Sequence, residues 1–206
     1  MISRMHLTSI VFLVGLVWVV LLLMDGVTVQ IAWLPRLTAV VPVLLVALGA
    51  FDRWAWKWPY VNQWFAKRPV LCGTWRVTLQ TEWRNPETGE VPGPNICYMA
   101  VRQTYSLLSM RLMTKESNSE LVAGRIIQAN DGVFRILGVY TNNPKVEHRH
   151  RSEIHFGGLL LDVQGEPAKV LEGHYWTDRN TRGSMVLENR VDEVLGSHAE
   201  GESAFA

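Results

Sequence analysis

The chain has 206 residues, of which 48 % are hydrophobic and 19 % charged, and its formal net charge is +1. A charge this close to zero is not that of a basic nucleic-acid-binding surface, so we expect no direct DNA or RNA partner. The two cysteines, Cys72 and Cys97, do not indicate a disulfide framework.

Two apolar runs occupy the first quarter of the chain. Residues 7–24 carry no ionisable side chain, and a helix of about 18 residues nearly spans the hydrocarbon core of a bilayer. Residues 37–51 also lack charge. We therefore predict a transmembrane helical hairpin over residues 1–58, with spans at about 7–24 and 31–52. A secretory signal peptide is the alternative for the first run, but no small-residue cleavage site follows Met24.

The basic residues around the two runs predict their orientation. Arg4 precedes the hairpin, and Arg53 and Lys57 follow it. The positive-inside rule then places both termini in the cytoplasm, and we expect a two-pass protein of the cell inner membrane. Arg36 lies between the runs, and because a charge in the bilayer centre is costly, we expect its side chain to extend to the outer interface. Arg36 either merely shortens the second span or contributes to a pore or oligomer, and the first interpretation is favoured.

A cluster of tryptophans follows the second run. Tryptophan is enriched where a membrane meets water, and we expect four residues to lie at the membrane interface: Trp54, Trp56, Trp58 and Trp64. Proline suits the first position of a helix and disfavours helix in the residue before it. Residues 59–69, which begin and end with proline, are therefore predicted to form an interfacial linker helix.

The period of the apolar residues changes from Val70 onward. Residues 74–83 alternate apolar and polar side chains, which is typical of a half-buried strand. Seven further strand-like runs follow, with turn residues between them, and Asn130-Asp131-Gly132 is a strong hairpin signal. About eight antiparallel strands without intervening helices predict a small lipocalin-like up-and-down barrel over residues 70–192, with a sandwich as the alternative. The Gly, Ser, Glu and Ala content of residues 193–206 predicts a disordered tail.

Catalytic chemistry is not indicated. The chain lacks a nucleophile motif and a phosphate-binding glycine loop, so we predict no catalytic residue and no enzyme. His148, His150 and His155 could hold a metal, but no carboxylate or cysteine lies at a familiar ligand spacing, and we predict no metal site. Glu172 and Glu188 fall on the outward parity of their strands, which disfavours general acid–base work.

The segment 171–183 is the best candidate for a binding site. Leu171, Gly173, Tyr175, Thr177 and Arg179 share one strand parity. If they point inward, they supply a stacking surface, hydroxyl groups and a cation, which suit a nucleotide with phosphodiester groups. A tight hairpin whose hydroxyls satisfy backbone groups fits equally well.

A second group of polar residues lies at predicted strand ends. It either lines a pocket or simply ends the strands, and the second interpretation is favoured by spacing. Its members are Gln103, Thr104, Tyr105, Thr114, Ser117 and Ser119.

The order of several short motifs resembles a known family. After two N-terminal spans, the strand-rich domain carries Arg102-Gln103-Thr104, Thr114-x-x-Ser117-x-Ser119, Tyr140-x-Asn142-x-Pro144, His155-x-Gly157 and Gly173-x-Tyr175-x-Thr177-x-Arg179-x-Thr181-x-Gly183. This pattern is similar to the two-transmembrane β-barrel effectors of bacterial CBASS anti-phage systems, which are associated with CD-NTases. The resemblance covers nearly the whole chain except the acidic tail.

The resemblance implies a function and a set of ligand-binding residues. In that family the barrel binds a cyclic dinucleotide, a second messenger made by a partner nucleotidyltransferase, and needs no cofactor. Binding drives homo-oligomerisation and disruption of the inner membrane, which causes abortive infection. The matched positions are Tyr175, Thr177, Arg179, Thr104, Tyr140, Asn142 and His155. Because the interior of an eight-stranded barrel is narrow, we expect binding near its mouth.

Two other classes of function stay open at this stage. A membrane-tethered, lipocalin-like carrier or sensor of an apolar ligand would have a dry interior without a convergent arginine. A membrane-bound enzyme would place its chemistry at the mouth of the barrel.

Overall fold

The computed structural model describes residues 15–16, 18–20, 23–24, 34–64, 66–85, 88–150 and 152–206. The chain divides into two compact units, Met1–Trp58 and Pro59–Ala206. The first contains the predicted hairpin, and the second contains the predicted linker helix and barrel.

The described part of the first unit is helical. Residues 15–16, 18–20 and 23–24 are in helix, α1 covers Leu34–Arg53, and a 3-10 turn covers Ala55–Lys57. Among the described residues, none of the helices combines the length and the apolar character needed to cross a bilayer. Much of the predicted span 7–24, and the first residues of the span 31–52, lie outside the described residues. The transmembrane hairpin stays a prediction.

The four tryptophans differ in exposure. Trp54, Trp58 and Trp64 are 60 %, 62 % and 88 % exposed, whereas Trp56 is fully buried. The guanidinium of Arg53 lies 5.7 Å from the centre of the Trp54 ring, within the range of a cation–π contact. Only three of the four rings expected at a membrane interface therefore face outward.

The second unit begins with a short helix. Helix α2 covers Pro59–Trp64 and starts at its proline, as the sequence predicted, but it is shorter than the predicted 59–69. The Asn62 side-chain amide donates to the Arg68 carbonyl oxygen at 2.9 Å. The end of the predicted linker, residues 66–69, is non-helical and leads into the barrel.

Eight strands form a closed antiparallel barrel, which confirms the predicted up-and-down architecture. Each strand pairs with the next along the chain, and the eighth pairs with the first. Alternation of apolar and polar residues gives each strand one buried face. The strands are β1 (Gly73–Thr81), β2 (Asn95–Gln103), β3 (Leu108–Met113), β4 (Ser117–Gln128), β5 (Phe134–Pro144), β6 (His155–Gln164), β7 (Val170–Thr177) and β8 (Arg182–Val191).

The connections between strands divide between the two ends of the barrel. Because successive strands are antiparallel, the β1–β2, β3–β4, β5–β6 and β7–β8 connections share one end, here called the open end. The β2–β3, β4–β5 and β6–β7 connections lie at the other, the closed end. The predicted hairpin forms the β4–β5 connection, where the Asp131 carboxylate accepts the Val133 amide at 2.9 Å and Gly132 has φ 85°.

The closed end is filled by the segment that enters the barrel. Leu71 is fully buried in the core, and its amide donates to Oε1 of Gln103 at 2.8 Å. Nε2 of Gln103 donates to the Pro69 carbonyl oxygen at 3.0 Å, and Arg190 donates to the Val70 carbonyl oxygen at 2.7 Å. Side chains from β2 and β8 thus hold residues 69–71 across this end.

The predicted disordered tail over residues 193–206 is wrong. Helix α3 covers His198–Ala204, and after it the Phe205 ring stacks on Tyr98 of β2, with centroids 5.3 Å apart. The Thr74 hydroxyl donates to the Glu193 carbonyl oxygen at 2.7 Å and accepts the Leu195 amide at 2.9 Å. The amino-acid composition did not predict that this segment is ordered, because its order depends on a few specific contacts. Phe205, Leu195 and the Thr74 hydroxyl anchor it to the outer wall of the barrel.

Candidate functional site

A cavity of about 530 Å³ lies at the open end of the barrel. This volume is in the range of about 300–1,000 Å³ that is typical of small-molecule sites. Residues from the β1–β2, β3–β4, β5–β6 and β7–β8 connections contribute to its rim, including Trp83, Glu116, Ser152 and Arg179. Side chains from all eight strands line the cavity, so it forms only when the barrel is closed.

The inner wall of the cavity is largely apolar. It is formed by inward side chains of β2, β3, β6 and β8, which are also part of the buried core: Met99, Met110, Leu112, Leu159 and Met185. Methionine side chains are flexible and polarisable, so they adapt to flat aromatic groups. This wall can receive a planar ring such as a nucleobase.

Arg179 is held at the rim by groups of the β5–β6 connection. Its Nη1 lies 3.1 Å from the Ser152 hydroxyl oxygen and 3.4 Å from both the Glu153 carbonyl oxygen and Nδ1 of His155. Nδ1 of His155 is 2.9 Å from the same carbonyl oxygen. Nε and Nη2 of Arg179 make no hydrogen bond within the described part of the chain, so the arginine keeps donors for a ligand anion.

Thr177 and Thr181 shape the turn that carries Arg179. The Thr177 hydroxyl accepts the backbone amides of Arg179 and Thr181, both at 3.3 Å, and lies 2.7 Å from the Thr181 hydroxyl. Asn180 completes the turn in the left-handed region, at φ 58°. The Thr177 hydroxyl thus forms hydrogen bonds with the backbone of its own turn, as the tight-hairpin interpretation predicted, whereas Arg179 lines the cavity.

Two tyrosines, one on β5 and one on β7, complete this side of the cavity from either side of β6. The Tyr140 hydroxyl donates to the Trp176 carbonyl oxygen at 3.4 Å, and the Tyr175 hydroxyl bonds to Thr81. Burial raises the pKa of both phenols above the usual value of about 10. Both hydroxyls therefore stay protonated at neutral pH and present neutral polar groups to the cavity.

Hydroxyl groups and an amide line the side of the cavity near the β3–β4 turn. Nδ2 of Asn142 donates to the Ser119 and Ser117 hydroxyls, at 2.8 Å and 3.1 Å. The Thr114 hydroxyl donates to the Ser117 carbonyl oxygen at 3.0 Å and accepts the Ser117 amide at 2.9 Å. Glu116 contributes the one carboxylate among the described residues that line the cavity.

The structure brings six of the seven predicted ligand-binding residues to this cavity. They are Tyr140, Asn142, His155, Tyr175, Thr177 and Arg179. Thr104 does not join them, because the β2–β3 turn lies at the closed end of the barrel. There its hydroxyl accepts the Leu107 amide at 3.1 Å and stabilises the turn. We therefore leave Thr104 out of the candidate site.

The sequence analysis did not identify Glu116 and Ser152 as cavity residues. For Thr114 and Ser119 it did not decide between a role in lining a pocket and a role in ending a strand, and both line the cavity. No local signal marks Glu116 or Ser152, since both lie in connections whose place is decided by barrel closure. The metal interpretation of the histidines gains no support: among the described residues no cluster of three His, Cys, Asp or Glu side chains could hold an ion.

A closed antiparallel barrel with a polar-rimmed cavity at its open end is the architecture of a ligand-binding domain. The model of one family, the Cap15 cyclic dinucleotide receptor domain, matches residues 66–189, which is more than half of the chain. The chain belongs to this family. The match begins in the segment that fills the closed end and reaches into β8, so it includes the whole cavity.

A curated relative agrees with the family match. CD-NTase-associated protein 15 from Yersinia aleksiciae is 29 % identical to this chain over 140 residues, which cover 66 % of this chain and 62 % of that protein. The chain thus aligns with less than two thirds of the relative's length. Together the two matches confirm the resemblance to CD-NTase-associated CBASS effectors that the motifs indicated.

Proposed function

We propose that this chain is a sensor of cyclic dinucleotides in CBASS anti-phage signalling. The observation that carries the proposal is the match of residues 66–189 to a cyclic dinucleotide receptor domain, which includes the cavity at the open end. The second messenger would come from a partner nucleotidyltransferase, since the relative is named for its association with one. Membership in a receptor family supports a binding role rather than a catalytic one.

The chemistry of the cavity suits such a ligand. A phosphodiester is an anion that pairs well with the planar donors of a guanidinium, and Arg179 supplies one at the rim. Nucleobases are flat and partly apolar, which suits the wall formed by Met99, Met110 and Leu112. The alternative, an apolar ligand in a dry barrel, is disfavoured because an arginine, a glutamate and several hydroxyls line the same space.

We further propose that binding leads to oligomerisation and disruption of the inner membrane. The two apolar runs and the exposed tryptophans near residue 58 support a membrane anchor with both termini in the cytoplasm. A ligand shifts assembly only through its different affinity for the free and assembled states. Anchoring raises the effective concentration of neighbouring barrels, so a modest difference in affinity is sufficient.

A direct binding measurement tests the sensor. The full chain, purified in detergent, is titrated with a panel of cyclic dinucleotides by isothermal calorimetry, and a thermal unfolding scan follows each addition. We expect a saturable signal with at least one member and a rise in the unfolding temperature, because a ligand that binds only the folded state stabilises it. A flat response from a folded chain would favour the apolar-ligand function.

The Arg179→Ala variant tests the position of the site. We expect its affinity for the bound dinucleotide to fall about tenfold or more, because a charge-assisted hydrogen bond to the ligand is lost. Arg102→Ala is the matched control, since Arg102 is an exposed arginine of β2 near the closed end. Undiminished binding by Arg179→Ala would remove this arginine from the ligand site.

A further inference from the structure

A tryptophan without an assigned role, Trp83, lies at the rim of the cavity. It follows β1 and has the same strand parity as Leu79 and Thr81, and all three side chains line the cavity. Trp83 is 44 % exposed. From the interior outward, this side of the cavity therefore presents an aliphatic group, a hydroxyl group and an indole ring that a ligand can reach.

We propose that one nucleobase of the ligand stacks on Trp83 while Arg179 binds the phosphodiester next to that base. The inference rests on the proposed function, and it adds an orientation of the ligand in the cavity. Aromatic side chains bind bases through stacking, and an indole ring offers a large π surface. A nucleotide joins its base to its phosphate through one sugar, so the groups that bind the two parts should be neighbours.

The closure of the barrel makes Trp83 and Arg179 neighbours. The Glu82 amide donates to the Arg182 carbonyl oxygen at 2.9 Å, so the pairing of β1 with β8 continues to the residue before Trp83. By the same register Trp83 lies opposite Thr181, two residues after Arg179. The β3–β4 turn is on the other side of the rim, four strands away in either direction around the ring. One side of the rim therefore holds both the indole ring and the guanidinium.

The backbone that carries Trp83 is tied to β1 and β8. The Trp83 amide donates to the Thr81 hydroxyl at 3.0 Å. Nε of Arg182 lies 2.6 Å from a carboxylate oxygen of Glu82, which connects the preceding residue to β8. The tryptophan side chain itself has only two rotatable bonds. A base that stacks on Trp83 therefore costs little conformational entropy, which favours binding.

The wall below Trp83 is closed by the Tyr175 ring. A Cβ atom at Gly183, which is opposite Thr81, would lie 2.8 Å from this ring, so Tyr175 extends across β8 towards β1. The Tyr175 hydroxyl bonds to Thr81. The edge of a base at Trp83 therefore meets hydroxyl groups, which can both donate and accept hydrogen bonds. Such a place binds a base strongly through its ring and discriminates little between different bases.

Two variants of Trp83 test the stacking. The full chain in detergent is titrated with the panel of cyclic dinucleotides, and binding is followed by calorimetry and by quenching of tryptophan fluorescence. We expect Trp83→Ala to weaken the binding of each bound dinucleotide about tenfold or more, because every base has a π face that loses its partner. Trp83→Phe keeps an aromatic ring and should bind within about threefold of the wild-type chain. Part of the wild-type quenching should be absent in Trp83→Phe, since the indole that contacts the base has been removed.

Trp64 supplies the matched control. It is an exposed tryptophan of α2, outside the barrel, and we expect Trp64→Ala and Trp64→Phe to leave both the affinity and the ligand-dependent quenching unchanged. Wild-type affinity in Trp83→Ala, or wild-type quenching in Trp83→Phe, would overturn the inference and leave the sensor intact. The phenylalanine variant decides the question even where the alanine variant does not fold. If the wild-type chain binds no dinucleotide, the proposed function fails as well.

Discussion

At the scale of single residues, glycines let large side chains reach the cavity. Gly157 of β6 lies against the ring and hydroxyl of Tyr140 and the carbonyl oxygen of Trp176, and a Cβ atom at this position would overlap all three. The strand pairing brings Gly157 opposite both Tyr140 and Thr177. A residue without a side chain is therefore required where the Tyr140 ring crosses to the neighbouring strand.

The Gly157→Ala variant tests this close approach. We expect it to lower the free energy of unfolding by about 1–3 kcal/mol, because the methyl group must displace the Tyr140 ring or the backbone. Ligand affinity should fall as well, since Tyr140 lines the cavity. Chemical denaturation measures the first effect and calorimetry the second.

Gly93→Ala is the control for that measurement. Gly93 lies in the β1–β2 connection with no atom near the added Cβ, and we expect a change within about 0.5 kcal/mol. Equal stability of Gly157→Ala and the wild-type chain would show that β6 can move away from Tyr140.

At the scale of elements, helix α3 depends on its N-terminal cap. The Ser197 hydroxyl accepts the Glu200 amide at 3.2 Å and donates to one Glu200 carboxylate oxygen at 3.0 Å. The other oxygen accepts the Gly196 amide at 2.8 Å. Ser-x-x-Glu is a capping-box sequence, so a signal for this helix was present in the segment predicted to be disordered.

The cap predicts a pH dependence of α3. Hydrogen bonds from the Gly196 amide and the Ser197 hydroxyl lower the pKa of Glu200 below its usual value of about 4.5. The folded helix therefore prefers the carboxylate, and this contribution is present above about pH 4.5 and is lost as the pH falls through the lowered pKa. We expect faster hydrogen exchange of the α3 amides, after correction for intrinsic rates, as the pH drops below 4.5.

The Glu200→Gln variant should abolish most of that dependence. Its α3 amides should exchange faster at neutral pH and respond less to acid, because the carboxylate is absent throughout. Glu202→Gln is the control on the same helix, where the carboxylate forms an exposed ion pair with Lys115 at 3.5 Å. Identical exchange in all three chains would assign the stability of α3 to Phe205 and Leu195 alone.

At the scale of the whole molecule, sensing and membrane action are expected to be separable. Residues 59–206 form one compact unit that contains the complete cavity and the segment closing the other end. We expect this fragment to bind the same dinucleotide as the full chain. Expressed with an active nucleotidyltransferase, it should leave cells viable, whereas the full chain should kill them.

Growth and membrane-permeability assays measure that difference. The Arg179→Ala variant of the full chain is the control, because it keeps residues 1–58 but should respond poorly to the messenger. Toxicity of the fragment at equal expression would contradict a membrane mechanism.

Much of the barrel was predictable from local pattern. Side chains two residues apart lie on the same face of a strand, so Trp75, Val77 and Leu171 could be assigned to the interior, and all three are fully buried. The Asn130–Gly132 turn was predictable because short turns have their own sequence chemistry. Both signals act over a few residues and do not depend on the rest of the chain.

The two ends of the barrel were not distinguished in the sequence analysis. Thr104 directly follows β2 and Thr114 directly follows β3, yet the first stabilises a turn at the closed end and the second lines the cavity. Alternation of apolar and polar residues predicts which side chains point inward. It does not predict whether the interior at that position is filled by other side chains or left open as a cavity. Leu71, which enters from outside the strands, fills one end and leaves the other open.

The sequence by itself determined the strands, their buried faces, one hairpin and the family, because these depend on short-range periodicity and on the order of motifs. Only the tertiary structure decided that Arg179 and Glu116 face one cavity from opposite sides. Their placement requires β8 to pair with β1, a contact between strands about a hundred residues apart. A side chain's partners across a closed barrel are decided by that closure, which no local pattern encodes.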